Sequence, residues 1–338
     1  MHNNITRLIL WLISIFCLCV ILTYKFLGKK TIFIGILITL LYTLFSKNIL
    51  VHTVTKCIRH VNGKKIFQLA FPFCYNIFNP SIVKIPSGYL LSVRCSTLSQ
   101  KNIFCYLYGQ FFYDSSIFFI ELDIKGKYKI FYPNDKGNLE DPRMIKYKNQ
   151  YILSANEYIN NTNNFPVLMI YDENYKFVRR TEYKKSDYFG SDKRINIQKN
   201  WCLFHHNNEI YVHTDTYPNW KVFKLDIDTG GMEKIVDTRY SFKLDYHLRC
   251  STSWQVYDKD HYICGLHTKT KEKMPTIRSI LVLIDRKTFL PVFRTDLLCL
   301  ESRNHNRTQF LSGLETDDFY VILAYGLNDS EIVVRKIS

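Results

Sequence analysis

The segment Leu139-Glu-Asp-Pro-Arg143 sets an aspartate between a glutamate and a proline, with an arginine next in line. Pro142 fixes its own φ and biases the residue before it toward an extended backbone, so Asp141 is expected to be held stiffly. A carboxyl held in this way beside a cation can be aimed into a pocket as a general acid. The plainer reading of the same residues is an Asp-Pro turn with a surface ion pair. A second segment, Gln198-Lys-Asn-Trp201, is followed by His205-His206 and then His213. Lys199 and His213 together can hold a phosphate, by point charge and by charge-assisted hydrogen bonds. Adjacent histidines on a strand point to opposite faces, so the His pair argues against a metal. Leu248-Arg-Cys-Ser-Thr252 and Gly326-Leu-Asn-Asp329 add Arg249 and Asp329. Taken singly, each reads more simply as solvent-facing or ion-paired.

The elements that must position these groups recur along the chain. Gly88-Tyr-Leu-Leu-Ser-Val-Arg94, Gln150-Tyr-Ile-Leu-Ser-Ala-Asn-Glu-Tyr158, Glu209-Ile-Tyr-Val-His-Thr-Asp215, His261-Tyr-Ile-Cys-Gly-Leu-His267 and Phe319-Tyr-Val-Ile-Leu-Ala-Tyr325 each pair a turn with a Tyr-centred apolar strand. The tyrosines at 89, 151, 211, 262 and 320 are 62, 60, 51 and 58 residues apart. Such a period, built of short strands, predicts propeller blades that bury their faces against one another around an axis. Five copies predict an all-β, five-bladed propeller over residues 51–338. The polar residues that close the repeats, Arg94, Glu157, His213 and His267, are expected to share one phase and converge on a central pocket. The last strand, Glu331-Ile-Val-Val-Arg-Lys-Ile337, is expected to close the ring against an early one such as Lys65-Ile-Phe-Gln-Leu-Ala70.

Composition suits this body: aromatic residues make up 15% of the 338, and Tyr and Phe favour strands. The formal charge is +15, from 45 basic and 30 acidic residues. The basic residues are scattered, with one concentration from Lys176 to Arg194, and no nucleic-acid motif accompanies them. An anionic lipid surface or an anionic small substrate, such as a phosphate or sugar nucleotide, fits better than nucleic acid. None of the ten cysteines makes the paired spacing of a zinc site, and free buried thiols are expected, with no metal and no cofactor.

The amino-terminal residues 1–50 are expected to anchor the chain in a membrane. Residues 8–24 carry no charge, and a second apolar run covers 31–45. A spanning helix needs about 20 apolar residues, so the first run qualifies and the second is short. Lys25, Lys29 and Lys30 argue for a cytosolic loop between two spans. Sequons at Asn160 and Asn306 argue instead for a single span with a lumenal domain, the placement preferred here.

In order, Asn79-Pro-Ser81, Glu140-Asp-Pro-Arg143, Lys199-Asn-Trp201 and Tyr325-Gly-Leu-Asn-Asp329 resemble the five-bladed propeller family of β-mannoside phosphorylases and hydrolases, with its related β-mannosyltransferases. The resemblance covers almost all of the chain after residue 51. It implies inversion, with Asp141 as general acid, or as base in the transferring members. It implies that Arg94, Arg143, Lys199 and His213 grip phosphate, and that Asn79, Arg249 and Asp329 bind or shape the sugar. A Gly-Gly-Thr-Pro-like stretch of the family stands here as Cys250-Ser-Thr-Ser253, which is expected to reshape the sugar pocket. The hydrolase branch needs a second carboxylate, for which Glu157 is the convenient candidate. A glycan-binding propeller that keeps the pocket and lacks the chemistry is the alternative.

Overall fold

The computed structural model describes residues 59–60, 63–70, 75–97, 114–133, 138–160, 163–184, 188, 199–216, 219–239, 248–269, 277–301, 309–317, 320–327 and 331–337. All lie in one compact unit, Cys57–Leu98 with Tyr113–Ser338. The apolar runs 8–24 and 31–45 fall outside the described residues. Among those described, no helix is long and apolar enough to cross a membrane.

Two strands come first, β1 (Arg59–His60) and β2 (Lys64–Ala70). Blade one is β3 (Tyr75–Ile85), β4 (Gly88–Thr97), β5 (Asp114–Asp123) and β6 (Tyr128–Phe131). Blade two is β7 (Leu139–Tyr147), β8 (Gln150–Asn160), β9 (Asn163–Asp172) and β10 (Phe177–Glu182). Blade three is β11 (Cys202–His206), β12 (Glu209–Asp215), β13 (Asn219–Leu225) and β14 (Met232–Arg239). Blade four is built on β15 (Arg249–Cys250), β16 (Gln255–Val256), β17 (His261–Lys269), β18 (Ile277–Asp285), β19 (Pro291–Arg294) and β20 (Leu298–Cys299). Blade five is β21 (Gln309–Asp317), β22 (Tyr320–Leu327) and β23 (Glu331–Ile337), completed by β2 from the other end of the chain.

Each Tyr-centred repeat is the second strand of a blade, and the chain is a five-bladed propeller. The ring closes as the sequence predicts: β2 lies antiparallel to β23, from Lys64 opposite Lys336 to Ala70 opposite Glu331. β1 also pairs, in parallel, with β20 of blade four. Every gap between neighbouring blades holds an apolar layer. Ile77 and Leu91 meet Ile322 and Val334 across the closure, and Phe119 and Leu90 meet Leu153 and Tyr171 across the next gap. Three further layers complete the circuit. Each fully buried aliphatic or aromatic side chain contributes about 1.5–3 kcal/mol, so this stacking holds the ring together.

A second repeat went unread in the sequence. An aspartate ends the third strand of blades one, two and four, or directly follows it in blade three: Asp123, Asp172, Asp285 and Asp226. Each accepts backbone N–H groups of the turn that follows, as Asp172 does from Asn174 and Lys176 at 2.8 and 2.9 Å. Cys95, Cys202, Cys250, Cys264 and Cys299 are free and buried.

Candidate active site

The strand register fixes which residues are equivalent from blade to blade. Ser81 lies opposite Ser92, Arg143 opposite Ser154 and Cys202 opposite His213. Two residues earlier stand Asn79, Asp141 and Asn200. All three are in the left-handed conformation, with φ of 52°, 50° and 66°. The extended backbone expected of Asp141 is therefore not what forms. In blades one and two a β-bulge between Phe78 and Ser81, and between Glu140 and Arg143, turns the residue before proline out of the pleat. Asn and Asp tolerate that region better than other side chains, and bulges re-aim side chains toward sites.

Asp141 is 8% exposed, and its Oδ1 accepts from Asn79 Nδ2 at 2.5 Å and from Arg94 Nη1 at 3.1 Å. Arg94 is committed at every nitrogen. Its Nη2 reaches Glu140 Oε1 at 2.5 Å and its Nε reaches Ser115 Oγ at 2.9 Å, with the Phe78 ring beneath at 4.6 Å. Burial by itself raises the Asp141 pKa, but Arg94, Arg143, Lys199 and the Asn79 hydrogen bond outweigh it and hold the carboxyl at about 2. Its neighbour goes the other way: burial keeps the Glu140 carboxyl above its usual range despite Arg94. One guanidinium thus holds two carboxyl groups whose proton affinities are pushed apart.

Arg143 differs from Arg94. It is fully buried, its Nη1 donates to the Pro142 carbonyl at 2.9 Å, and its Nε and Nη2 have no partner. His267 lies at the same site, with its ring edge-on to Phe310 at 4.7 Å and its Nδ1 unpartnered. Burial, then the charges of Arg143 and Arg249, lower its pKa to about 3, so the ring is neutral. Lys199 and Arg249 are exposed, and the Lys199 charge bears on Asp141, Glu140 and His267.

Two of the expected residues do not join this group. His213 is fully buried, its ring 4.0 Å from that of Trp220, its Nε2 bonded to the Asp215 carbonyl and its Nδ1 accepting from Trp254 Nε1. Burial lowers its pKa to about 3, so it supplies no cation for phosphate. Glu157 faces away and is gripped by Arg180 through two bonds of 2.5 and 2.6 Å. The phase expected to unite the four strand-ending residues therefore fails for half of them. The residue opposite the last position before the bulge is Arg94 in blade one and Asn156 in blade two, and the same pairing with Arg249 selects His267 in blade four. Glu157 is one residue too far, which turns it to the other face, and His213 is too deep. Asp329 lies outside the described residues.

Glu140, Asn156 and Asn200 were missed as site residues. Glu140 and Asn200 sit inside motifs read for their neighbours, and Asn156 needed the register. Ser251 and Thr252, in the altered stretch, are turned to packing: Ser251 Oγ donates to the Leu311 carbonyl and Thr252 Oγ1 accepts from Gly265 N. Among the described residues no His, Cys, Asp and Glu cluster could hold a metal.

No family model and no curated protein matches the sequence. Solved structures do match. One is a structure from work on the GH130 family of mannoside phosphorylases, containing glycoside hydrolases that target β-1,2 mannosidic linkages in Candida mannan. It is 14% identical with a TM-score of 0.57, covering 77% of this chain and 84% of that one. The β-1,2-mannobiose phosphorylase of Listeria innocua, in complex with β-1,2-mannobiose, is 12% identical with a TM-score of 0.56, covering 78% and 90%. A protein from Leishmania major is 13% identical with a TM-score of 0.55, covering 88% and 93%. The chain therefore shares the five-bladed fold of mannoside phosphorylases and hydrolases, in agreement with the resemblance carried by its motifs.

Proposed function

We propose that the chain is a carbohydrate-active enzyme, a glycosyltransferase or glycoside phosphorylase, that makes or breaks β-mannoside-type linkages with inversion at the anomeric carbon and Asp141 as general acid or base. The observation that carries this reading is an ionised Asp141 carboxylate beside a buried arginine with two unpartnered nitrogens. Arg143 and Lys199 would receive the phosphate of the donor or the attacking phosphate, in place of the set that included His213. Arg94, fully committed, would orient the two carboxyl groups rather than touch phosphate. Asn79 and Arg249 would shape the sugar pocket.

An ionised Asp141 is ready to take a proton. In synthesis, the acceptor hydroxyl would give it that proton, directly or through a sugar hydroxyl, as its oxygen bonds to the anomeric carbon and phosphate or nucleotide leaves. In phosphorolysis the glycosidic oxygen would leave with a proton from Asp141 while phosphate bonds from the opposite face. Anionic phosphate on Arg143 and Lys199 would offset the charge that keeps Asp141 deprotonated. Hydrolysis is less well served, because inverting hydrolases hold their two carboxyl groups about 6.5–9.5 Å apart to admit a water, and Glu157 is engaged by Arg180.

Residues 1–50 would tether the enzyme to a membrane with the propeller on the lumenal side, which suits synthesis. The test is a donor screen on the full chain. GDP-mannose and mannose 1-phosphate are offered with mannose or mannobiose while released nucleotide or phosphate is followed. Turnover that vanishes in Asp141→Asn supports the reading, and the active donor separates transferase from phosphorylase. Mannoside binding without turnover on any donor would replace it with a glycan-binding propeller.

A further inference from the structure

The propeller repeats one arrangement at successive gaps, and one gap departs from it. Between blades one and two, Arg94 reaches from the second strand of its own blade to Glu140 and Asp141 at the start of the next. The equivalent residue of blade two is Asn156, opposite Glu140 as Arg94 is opposite Phe78. Across its gap stand the equivalents of Glu140 and Asp141 in blade three, Lys199 and Asn200. β8 and β11 pack together there: Ile152 of β8 and Leu203 of β11 share one apolar layer, and Phe165 of β9 lies edge-on to Trp201, just before β11.

An asparagine is several bonds shorter than an arginine, and it does not bridge this gap. Asn156 is 2% exposed and its Nδ2 has no partner. Asn200 is 4% exposed and its Oδ1 has no partner. One orphan is a donor and the other an acceptor. Buried polar atoms are almost always satisfied in a working protein, so a pair of complementary orphans at a candidate site marks a place for a ligand atom. The left-handed Asn200, with φ of 66°, adds strain of the kind that collects at ligand sites.

We infer that Asn156 and Asn200 form a hydroxyl-binding notch between blades two and three, one step round the axis from Asp141. A sugar hydroxyl fits it, accepting from Asn156 Nδ2 and donating to Asn200 Oδ1. An ionised phosphate oxygen has no proton for Asn200, whereas every sugar hydroxyl both donates and accepts, so the notch favours the sugar and leaves the anion to Arg143. This inference rests on the carbohydrate reading above and adds two specificity-determining residues to it.

The test compares the full-length wild type, Asn156→Ala, Asn200→Gly and the double variant. Calorimetry reads β-1,2-mannobiose affinity, and thermal unfolding without ligand reads the fold. Glycine at 200 relieves the left-handed backbone and removes the orphan. The expected Tm of Asn200→Gly is therefore equal to or above that of the wild type. Each single variant is expected to lose about tenfold in affinity, the worth of one hydrogen bond. The double variant should lose little more, because both amides hold one hydroxyl. A clear fall in Tm for Asn200→Gly would show that its side chain has structural partners and would overturn the inference, as would unchanged affinity or fully additive losses. A wild type that binds no mannobiose would sink the β-mannoside reading, and the ligand-free Tm would then decide whether the notch stands.

Discussion

Asn79 Nδ2 donates to Asp141 Oδ1 at 2.5 Å, joining the first strand of one blade to the first strand of the next. Both residues precede a proline, both are left-handed, and both sit at the same step of their strands. The bond fixes the rotamer of the carboxylate and stabilises its charged form. Asp141→Asn is expected to abolish turnover with the circular dichroism spectrum unchanged, since the site is polar and the isostere fits. Asn79→Ala leaves the carboxylate on Arg94 alone, and a misdirected acid-base group typically loses about a hundredfold in rate. An Asp141→Asn variant that turns over at the wild-type rate would remove Asp141 from the mechanism.

Arg94 and Arg143 divide their work, and substitution should separate them. Arg94→Lys breaks a fork that no ammonium can reproduce. It is expected to lower kcat by about a hundredfold with little change in the KM for the phosphate-bearing substrate. Arg143→Met removes a buried guanidinium with two unpartnered nitrogens. It is expected to raise that KM steeply and to leave thermal stability unchanged or higher, because a buried guanidinium with two unsatisfied nitrogens disfavours the fold. Steady-state kinetics with Tm for each variant checks both halves; a reversed pattern would exchange the roles.

The sequence made the architecture readable because each blade must present an apolar second strand, entered through a turn, to its neighbours, and that demand recurs at every turn of the ring. The closing partner of Glu331–Ile337 was readable for a similar reason: an unpaired edge at one end of the chain needs a matching strand at the other. The site was readable where chemistry concentrates in one motif, as at Glu140-Asp141-Pro142-Arg143. It was misread where one residue decides the face of a strand. Glu157 and Asn156 are neighbours in sequence, yet one pairs with Arg180 and the other faces the blade-three gap. Tyr211 played the same trick. The position matching Tyr89 and Tyr151 is Ile210, since His206 pairs with Glu209 at that turn as Ile85 pairs with Gly88. Counting from Tyr211 therefore brought in His213, two residues short of the rim.

Glu315 gives the stability of the ring a pH dependence of known sign. It is 8% exposed on β21 and accepts the N–H of Lys84 at 2.8 Å across the joint between blades five and one, and that of its own neighbour Thr316 at 2.9 Å. Burial outweighs those bonds and raises its pKa from 4.5 to about 7. The folded state therefore holds this proton more tightly than the unfolded chain. The contribution is fully present below pH 4.5 and is lost as pH rises through 7, a change on the order of 3 kcal/mol. Glutamine cannot ionise. The unfolding free energy of Glu315→Gln, minus that of the wild type, is expected to grow by about 2.5 kcal/mol between pH 5 and pH 8. Denaturant melts at both pH values give the difference; a flat difference would show that the carboxyl stays ionised throughout.

The closure of the ring carries its own polar lock, and it predicts how the fold fails. Arg335 on β23 donates from Nη2 to Glu301 Oε1 at 2.9 Å, from Nε to Tyr325 Oη at 3.2 Å and from Nη1 to the Gly63 carbonyl at 3.1 Å. Tyr325 Oη donates to the same Glu301 oxygen at 2.7 Å, and Lys65 Nζ approaches it at 3.2 Å. Side chains from blade four, blade five and the strand that completes blade five thus share one carboxylate. Arg335 and Glu301 are each only 13% exposed, so loss of one partner strands the other in a poorly solvated place. Arg335→Ala is expected to cost about 2–3 kcal/mol, less than a fully buried pair, or about 5–10 °C in Tm for a domain of this size. The loss should be local at first, with the amides of β2 and β23 exchanging faster than those of blade two. Glu301→Gln keeps acceptor and shape and should lose less than half as much. Hydrogen exchange resolved by segment checks the order of events: uniform acceleration across all five blades would mean that the ring opens as a whole rather than at its seam.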